Sequence, residues 1–293
     1  MLSVVAWLGF VHWSADVVAM FVPYWAGGTA VLLLIFLILR HRTGIVLAGL
    51  ALLLNLVPLV SYLPMARLAS ASEPTDFRLM VYNQYFLNND LEAIRAEVEA
   101  HDPDIIYLME YSFAIQAEIE AQFADYPYRL IEPSRMTSGV ALFSRVPLTA
   151  SQVYRFEGTR IPIIEVTFEV AGRAVTLVGG HPWPPVDSWA GLHVAQVADV
   201  RRVAEGAERP LIVAGDFNSA PWSYELRQLQ KAADVRDTRR GFGNLTTWSD
   251  RPLVHLAIDH VFASEELAVQ NFYRGEQGGS DHVPIIVDFS VVG

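Results

Sequence analysis

The sequence predicts a mixed α/β domain carried behind an N-terminal anchor of two or three transmembrane helices, and three observations predict it. Residues 17–39 and 43–66 are runs of 23 and 24 residues without a charged side chain. After residue 76 the pattern changes to short β-type runs alternating with segments of helical period. Polar residues able to do acid–base and metal chemistry stand where those β-type runs end, the usual place for a site above a sheet.

The anchor comes first. About 20 apolar residues cross the hydrocarbon core at 1.5 Å rise each, so both runs are long enough. Residues 1–16 form a weaker apolar stretch interrupted by His12 and Asp16, readable as a short span, a Trp-rich interfacial helix or part of a bent first span. No basic residue precedes its apolar run, so a signal peptide fits badly. His12 and Asp16 share a helix face at a spacing of four; they are read as marking an interfacial helix and are assigned no role. Arg40-His41-Arg42 lies between the two strong runs, and positive loops stay cytoplasmic. The expected chain is therefore integral to the cytoplasmic (inner) membrane, with everything after residue 66 extracytoplasmic. The expected divisions are an anchor at 1–66, a linker at 67–76 and a catalytic domain at 77–293. Within the linker, Ala69-Ser70-Ala71 resembles a small-residue cleavage site, although Ala/Ser linkers are common by composition alone.

Composition excludes several chemistries. None of the 293 residues is Cys, which removes disulfides, Cys nucleophiles, Cys-ligated zinc and iron–sulfur clusters. The formal charge is −11, and only Arg40, Arg42 and Asp16 lie before residue 67, so the excess acid belongs to the α/β domain. Lys231 is the single lysine. Such a domain is poorly suited to non-specific nucleic-acid binding, where Lys and Arg neutralise phosphates. A nuclease would need a track drawn from Arg129, Arg135, Arg155, Arg160, Arg239 and Arg240.

In chain order, strands are expected at 77–82, 105–109, 139–144, 163–170, 174–179, 211–214, 258–262 and 285–289. Leu91, Ile94 and Val98 take one face of a helix that stops at His101-Asp102-Pro103. Further helices are expected near 112–124, 190–205 and 223–232. There is no tandem repeat or low-complexity stretch, and the segment is long enough for one domain with a buried core.

Six places at the ends of these strands carry the candidate chemistry: Asn83, Glu110, His181, Asp216 with Asn218, Asp259-His260, and Ser280-Asp281-His282. Carboxylate, amide and imidazole groups converging this way suit a hard cation and an activated water. Singly, each has a plainer reading, Glu110 as a solvated strand end and an Asp–His pair as a structural contact. His260 points to the opposite face from Asp259 on a strand and is read as structural. His101, His193 and His255 are read as surface or loop residues. Trp183, Trp189 and Trp222 are read as packing loops in preference to lining a substrate.

Gly215-Asp216-Phe217-Asn218 together with Ser280-Asp281-His282 resembles the endonuclease/exonuclease/phosphatase superfamily, the deoxyribonuclease-like metal-dependent phosphoesterases. Met80-Val81-Tyr82-Asn83, Tyr107-Leu108-Met109-Glu110-Tyr111, the segment from Ser138 to Arg145, Gly179-Gly180-His181-Pro182 and Ile258-Asp259-His260 match its other motifs in order, across residues 77–290. The resemblance implies a four-layer α/β sandwich, two packed mixed β-sheets flanked by helices. It implies that Glu110 binds the divalent cation, with Asn83 and Asp281 close to it or to its waters. Asp216 would orient or deprotonate the attacking water, and Asn218 would hold that water or the phosphoryl group. His282 would face the phosphate, polarised by Asp259, and His181 would donate to a non-bridging oxygen. Oxygen ligands favour Mg²⁺, with Mn²⁺ as a substitute, and in-line attack by water needs no covalent intermediate. Many nucleases of the family carry an acid soon after the first Asn. Here Asn88 occupies that spacing, resembling a bacterial membrane-anchored branch, and is taken as a substrate-binding candidate. His181-Pro182-Trp183-Pro184-Pro185 also departs from the plain nuclease motif.

The leading expectation is a membrane-anchored, metal-dependent phosphoesterase acting on a phosphodiester at the bilayer, such as a phospholipid headgroup. Superfamily relatives include sphingomyelinases and inositol-phosphate phosphatases, which puts lipid substrates within range by analogy. The alternatives are an extracytoplasmic nuclease acting on DNA or RNA, disfavoured by the acidic domain, and a catalytically silent membrane scaffold, disfavoured by the intact motif set.

Overall fold

The computed structural model describes residues 1–65, 74–159 and 161–292. Ala69-Ser70-Ala71, most of the expected linker, and Arg160 lie outside the described residues.

Runs of buried β-branched and aromatic residues build two six-stranded sheets. The first has the order β13 (Leu267–Arg274), β14 (Ile285–Val291), β1 (Phe77–Asn83), β2 (Ile105–Met109), β4 (Val140–Ser144), β3 (Tyr128–Glu132). The second has the order β5 (Leu148–Tyr154), β6 (Ile163–Val170), β7 (Arg173–Gly179), β8 (Leu211–Asp216), β12 (Asp259–Ala263), β9 (Arg236–Asp237). Each sheet is antiparallel apart from one central parallel pair, β1 with β2 and β7 with β8. A separate hairpin joins β10 (Trp248–Arg251) to β11 (Val254–Leu256).

Alternation along the strands decides the layers. Leu79, Val81 and Tyr107 of the first sheet meet Val166, Leu177 and Val261 of the second in one core between the sheets. Met80, Tyr82 and Ile106 point the other way, onto α5 (Leu91–His101) and α6 (Gln116–Gln122) through Ile94, Val98 and Ile119. On the far side, Val178, Val213 and Phe262 pack against α7 (Ala190–Gly206) and α8 (Tyr224–Ala232) through Val197, Val200 and Leu226. Two mixed sheets flanked by helices are therefore present.

The interior strands coincide with the expected ones to within a few residues. Within the two six-stranded sheets, the strands that the sequence pattern misses, β3, β5, β9 and β13, are the outer ones; the separate β10–β11 hairpin is missed as well. β5 shows the reason: most of Leu-Thr-Ala-Ser-Gln-Val-Tyr is exposed, and polar residues at a sheet edge discourage pairing with other chains while erasing the apolar run.

The N-terminal segment comprises α1 (Leu2–Val5), α2 (Trp13–Met20), α3 (Val22–Ile38) and α4 (Arg42–Leu56), the last running on as a 3₁₀ turn at Val57–Tyr62. Arg42–Tyr62 is long and apolar enough to cross a membrane. α2 and α3 qualify only as a pair, bent by 64°. The run at 17–39 is thus not straight: it breaks at Phe21, where Pro23 opens α3 in the first-turn position proline tolerates. α3 and α4 leave Val31, Leu34, Ile38, Leu47, Leu50 and Leu53 exposed, an apolar surface that nothing in the described fold covers.

α2 turns back onto the α/β domain. The Asp16 carboxylate accepts from the backbone N–H groups of Tyr224 (2.8 Å) and Glu225 (3.3 Å), capping the N-terminus of α8 from outside. The Trp222 indole N–H donates to Ala19 O at 2.6 Å, and the Tyr62 hydroxyl donates to Asp237 at 3.3 Å. Asp16, given no role from the sequence, is a tie between the two parts of the chain.

One glycine is required by close approach. Gly215 has φ +149°, and a Cβ on it would lie 1.9 Å from the carbonyl oxygen of Gly180, where β7 and β8 end side by side. Gly215→Ala is expected to lower stability by about 2–4 kcal/mol. Thermal unfolding checks this, and an unchanged Tm would show that the two strand ends can part without cost.

Candidate active site

The candidate residues come from the same end of both sheets, where the central parallel pairs stop. The first sheet supplies Asn83 at the end of β1, Glu110 after β2, and Asp281 and His282 ahead of β14. The second supplies His181 after β7, Asp216 and Asn218 at the end of β8, and Asp259 at the start of β12. The antiparallel register sets Asp216 directly opposite Asp259.

Hydrogen bonds stitch the two sheets together here. The Asn83 amide donates to Glu110 Oε1 (3.2 Å) and to Asp216 Oδ2 (3.0 Å). Glu110 Oε2 accepts from the Phe86 N–H at 2.9 Å, and its carbonyl accepts from Gln84 at 2.6 Å. Asp216 Oδ1 accepts from the Asn218 N–H at 2.8 Å, while the Asn218 amide donates to Pro182 O at 3.0 Å. His282 Nδ1–H donates to Asp259 Oδ2 at 2.8 Å, and its Nε2 lies 3.6 Å from Asp216 Oδ2. His181 Nδ1 lies 3.1 Å from Thr137 O, an atom that only accepts, so Nδ1 carries the hydrogen. Its Nε2 lies 3.6 Å from Asp216 and 3.9 Å from Glu110. Tyr85, Glu110 and Asn218 hold left-handed backbone (φ 63°, 57° and 48°), strain that these interlocking bonds sustain at the site.

Burial, and then the Asp259 carboxylate opposite, push Asp216 up to about 6. Burial alone would raise Asp259, but the His282 charge outweighs it and holds Asp259 below the usual carboxylate range. Burial would lower His282, yet Asp259 and then Asp216 overcome it and raise the ring to about 10. Burial lowers His181 and raises Glu110. The site therefore sets the raised His282 ring among four carboxyl groups, those of Glu110, Asp216, Asp259 and Asp281, an excess of acidic groups.

That excess, with the donor types present, fits a divalent cation. Asp216, Asp259 and His282 bring one donor atom each within 4.8 Å of one another and could hold a metal. Asp259 and His282 already hold each other, however, and Asp216 is met by Asn83 and Asn218. Unmet hydrogen-bonding capacity remains on Asp259 Oδ1 and Asp281 Oδ1, both buried without a hydrogen-bond partner among the described residues, while Asp281 Oδ2 accepts from the Trp248 indole at 2.9 Å. Glu110, Asn83 and Asp281 carry oxygen donors of the kind hard cations prefer.

The structure thus brings together Asn83, Glu110, His181, Asp216, Asn218, Asp259, Asp281 and His282. It does not bring Asn88 to the cleft. That side chain is buried, donates to Gly278 O (2.8 Å) and accepts from the Asp90 N–H (2.9 Å), so it holds the loop leading to Ser280-Asp281-His282. His260 is buried against Ser219 O at 2.7 Å, a structural contact as expected. His193 is buried too, against the expectation of a surface position. It bridges Trp183 O (2.7 Å) and the Ser219 hydroxyl (3.1 Å), tying two cleft loops together. His101 sits at the end of α5 beside Glu97, and His255 is exposed on β11. Trp222 packs against Tyr62, whereas Trp183 and Trp189 line the cleft. Of the Arg candidates, Arg239 is wholly buried, Arg129 is paired with Glu120 and Arg155 with Glu132, so these three form no open track.

The cleft has a volume of about 530 Å³, and its walls include residues that the sequence reading did not find: Tyr85, Phe86, Met136, Trp248, Val17 and Met20. No local signal marks them, since apolar residues in loops or in a span-like run look the same whether or not a cleft adjoins them.

The Endonuclease/Exonuclease/phosphatase family matches residues 80–282 of the chain. A UPF0294 protein of Vibrio campbellii is 30% identical over 103 residues, and the match spans about a third (34%) of each protein's length. Among solved structures, D. rerio TDP2 complexed with a single-strand DNA product superposes with a TM-score of 0.64 at 16% identity, over 73% of this chain and 99% of that one. The human Nocturnin catalytic domain with bound sulfate gives 0.59 at 21% identity, over 74% and 94%. Sphingomyelinase C from Streptomyces griseocarneus gives 0.53 at 18% identity, over 74% and 99%. Likeness at these identities shows a shared fold.

The raised His282 makes a signed prediction. Its contribution to stability is complete below the unfolded value of about 6.5 and is lost as pH rises through about 10. Ring ¹⁵N NMR should find His282 protonated from about pH 6 to 9 in the native chain and titrating far lower in Asp259→Asn. A ring that stays protonated in Asp259→Asn would remove Asp259 as the main cause.

Proposed function

The chain belongs to the endonuclease/exonuclease/phosphatase family, and from that premise we propose that it is a membrane-anchored, divalent-metal-dependent phosphoesterase that hydrolyses a phosphodiester at the bilayer, a phospholipid headgroup being the substrate class favoured. The observation that carries this reading is the pairing of a high-pKa carboxylate, Asp216, with the His282–Asp259 dyad 3.6 Å away. A proton acceptor and a fixed cation then address the same reacting centre.

Glu110, with Asn83 and Asp281, would hold Mg²⁺, or Mn²⁺ in its place, and the ion when bound polarises the phosphoryl oxygens. Asp216 accepts a proton from water as the water oxygen bonds to phosphorus and the bond to the leaving oxygen, in line behind it, breaks. The Asn218 amide nitrogen is committed to Pro182, so its oxygen is the atom left to orient that water. The His282 imidazolium stabilises charge on the equatorial oxygens, held in position by Asp259. His181 can donate to a non-bridging oxygen only as an imidazolium, because its Nδ1–H is taken by Thr137, and an arriving phosphate anion favours that form.

The divisions proposed are an anchor at 1–66, a linker at 67–76 and a catalytic domain at 77–293. The uncovered apolar faces of α3 and α4 support the anchor, and Arg40-His41-Arg42 supports an inner-membrane topology with the domain extracytoplasmic. The DNA bound in the D. rerio TDP2 structure belongs to that protein, and the engaged Arg side chains here weigh against a nuclease.

With the full chain in detergent, hydrolysis of bis-(p-nitrophenyl) phosphate and of phospholipid micelles should need Mg²⁺ or Mn²⁺ and stop with EDTA. Asp216→Ala should lower kcat by about 10²–10⁴. Turnover indifferent to metal and to Asp216 would overturn the reading. A reporter fused after Gly293 should be active outside the cytoplasm; activity confined to the cytoplasm would overturn the topology.

A further inference from the structure

The N-terminal segment reaches into the catalytic cleft itself. Val17 and Met20, three residues apart on one face of α2, are part of the same wall set as Asp216 and His282. The wall continues through Val186 and through Trp183 and Trp189, whose rings lie 5.0 Å apart. Val186 and Trp189 remain 49% and 45% exposed, unusual for large apolar groups beside a site of charged residues.

α2 is firmly seated. Asp16 caps α8, Ala19 is fully buried with its carbonyl holding the Trp222 indole, and just beyond the bend the Tyr24 hydroxyl both donates to His255 O (3.1 Å) and accepts from the His255 N–H (2.7 Å). These ties register Val17 and Met20 against the cleft. They also join the wall directly to α3, whose outer apolar side chains are uncovered.

We propose that the cleft is a two-part binding site in which α2 and the Trp183–Trp189 pair hold the hydrocarbon chain of an amphiphilic phosphate ester whose phosphoryl group lies at Asp216 and His282. This rests on the phosphoesterase reading and adds to it a subsite for the hydrocarbon chain and the residues that form it. The same cleft carries the charged groups of Asp216 and His282 and the apolar side chains of Val17, Met20, Val186 and the two tryptophans, a mixture that matches a ligand with a charged head and an uncharged tail. A nucleic acid carries charge along its whole length and would lay further phosphates against an apolar wall.

The test uses the full chain in detergent with two matched series of two-, eight- and sixteen-carbon chains. Alkyl phosphonates read binding by calorimetry, and alkyl p-nitrophenyl phosphates read turnover. Affinity should rise at least a hundredfold from the shortest to the longest phosphonate. Val17→Ser and Met20→Ser should each remove about tenfold of that rise, the effect of spoiling one buried aliphatic contact. Trp189→Ala, at a half-exposed residue that is not on α2, should give a similar loss and so guards against variants that merely loosen α2. If the chain-length gain survives in all three variants, the proposal is overturned. If a single-stranded oligonucleotide binds more tightly than the sixteen-carbon phosphonate and is indifferent to these substitutions, it is overturned in favour of a nucleic-acid ligand. If the gain in binding is present and lost in the variants while no ester is turned over, the binding site stands and the phosphoesterase reading falls.

Discussion

Two buried carboxylates face each other across β8 and β12, and the site depends on how that repulsion is resolved. Asp216 and Asp259 are a directly opposed pair, an arrangement that destabilises a sheet unless something neutralises it. His282 does so, donating to Asp259 and lying within 3.6 Å of Asp216, but it arrives from the other sheet, just ahead of β14. The pairing therefore works only when the two sheets are stacked in register through their shared core. Asn83 repeats the logic, reaching from β1 to both Glu110 and Asp216. Function and interlayer packing are coupled because the charges balance only in the folded sandwich.

A second buried network lies behind this one. Arg239, wholly buried, donates to the Asp259 carbonyl, and its N–H donates to the Asp237 carboxylate. Asp237 also accepts from Tyr62, at the end of the N-terminal helical segment, and lies 3.8 Å from His260. A chain of buried polar contacts thus runs from that segment to the strand carrying Asp259. Burying so many charged and polar groups costs desolvation, which these partners offset in part, since Arg239 Nε and Nη1 and His260 Nδ1 make no hydrogen bond among the described residues. Together with the Asp16 cap, it makes the N-terminal helices part of the domain's architecture.

Much of the fold and most of the site were legible before the structure. The interior strands are continuous apolar runs because both their faces are covered, and the reactive residues follow those runs because parallel strands end beneath a common opening. The outer strands were hidden by the polar residues that protect a sheet edge, as in β5. Asn88 matched a motif spacing, yet its amide is consumed by Gly278 and Asp90, a fact of loop conformation that spacing does not encode. His193 read as a surface residue because its partners, Trp183 and Ser219, are distant in sequence and adjacent only in the folded loops.

The amino-acid sequence by itself determined the family, the strand-end positions of eight candidate site residues, and the apolar character of the first 66 residues. Those follow from residue type and local period, which every segment carries with it. Only the tertiary structure decided that the first apolar run bends at Phe21, that Asp16 caps a helix of the α/β domain, and that Val17 and Met20 wall the cleft. An apolar side chain in a span-like run satisfies the same local pattern whether lipid or protein covers it, and which of the two does so is settled by where the rest of the chain folds.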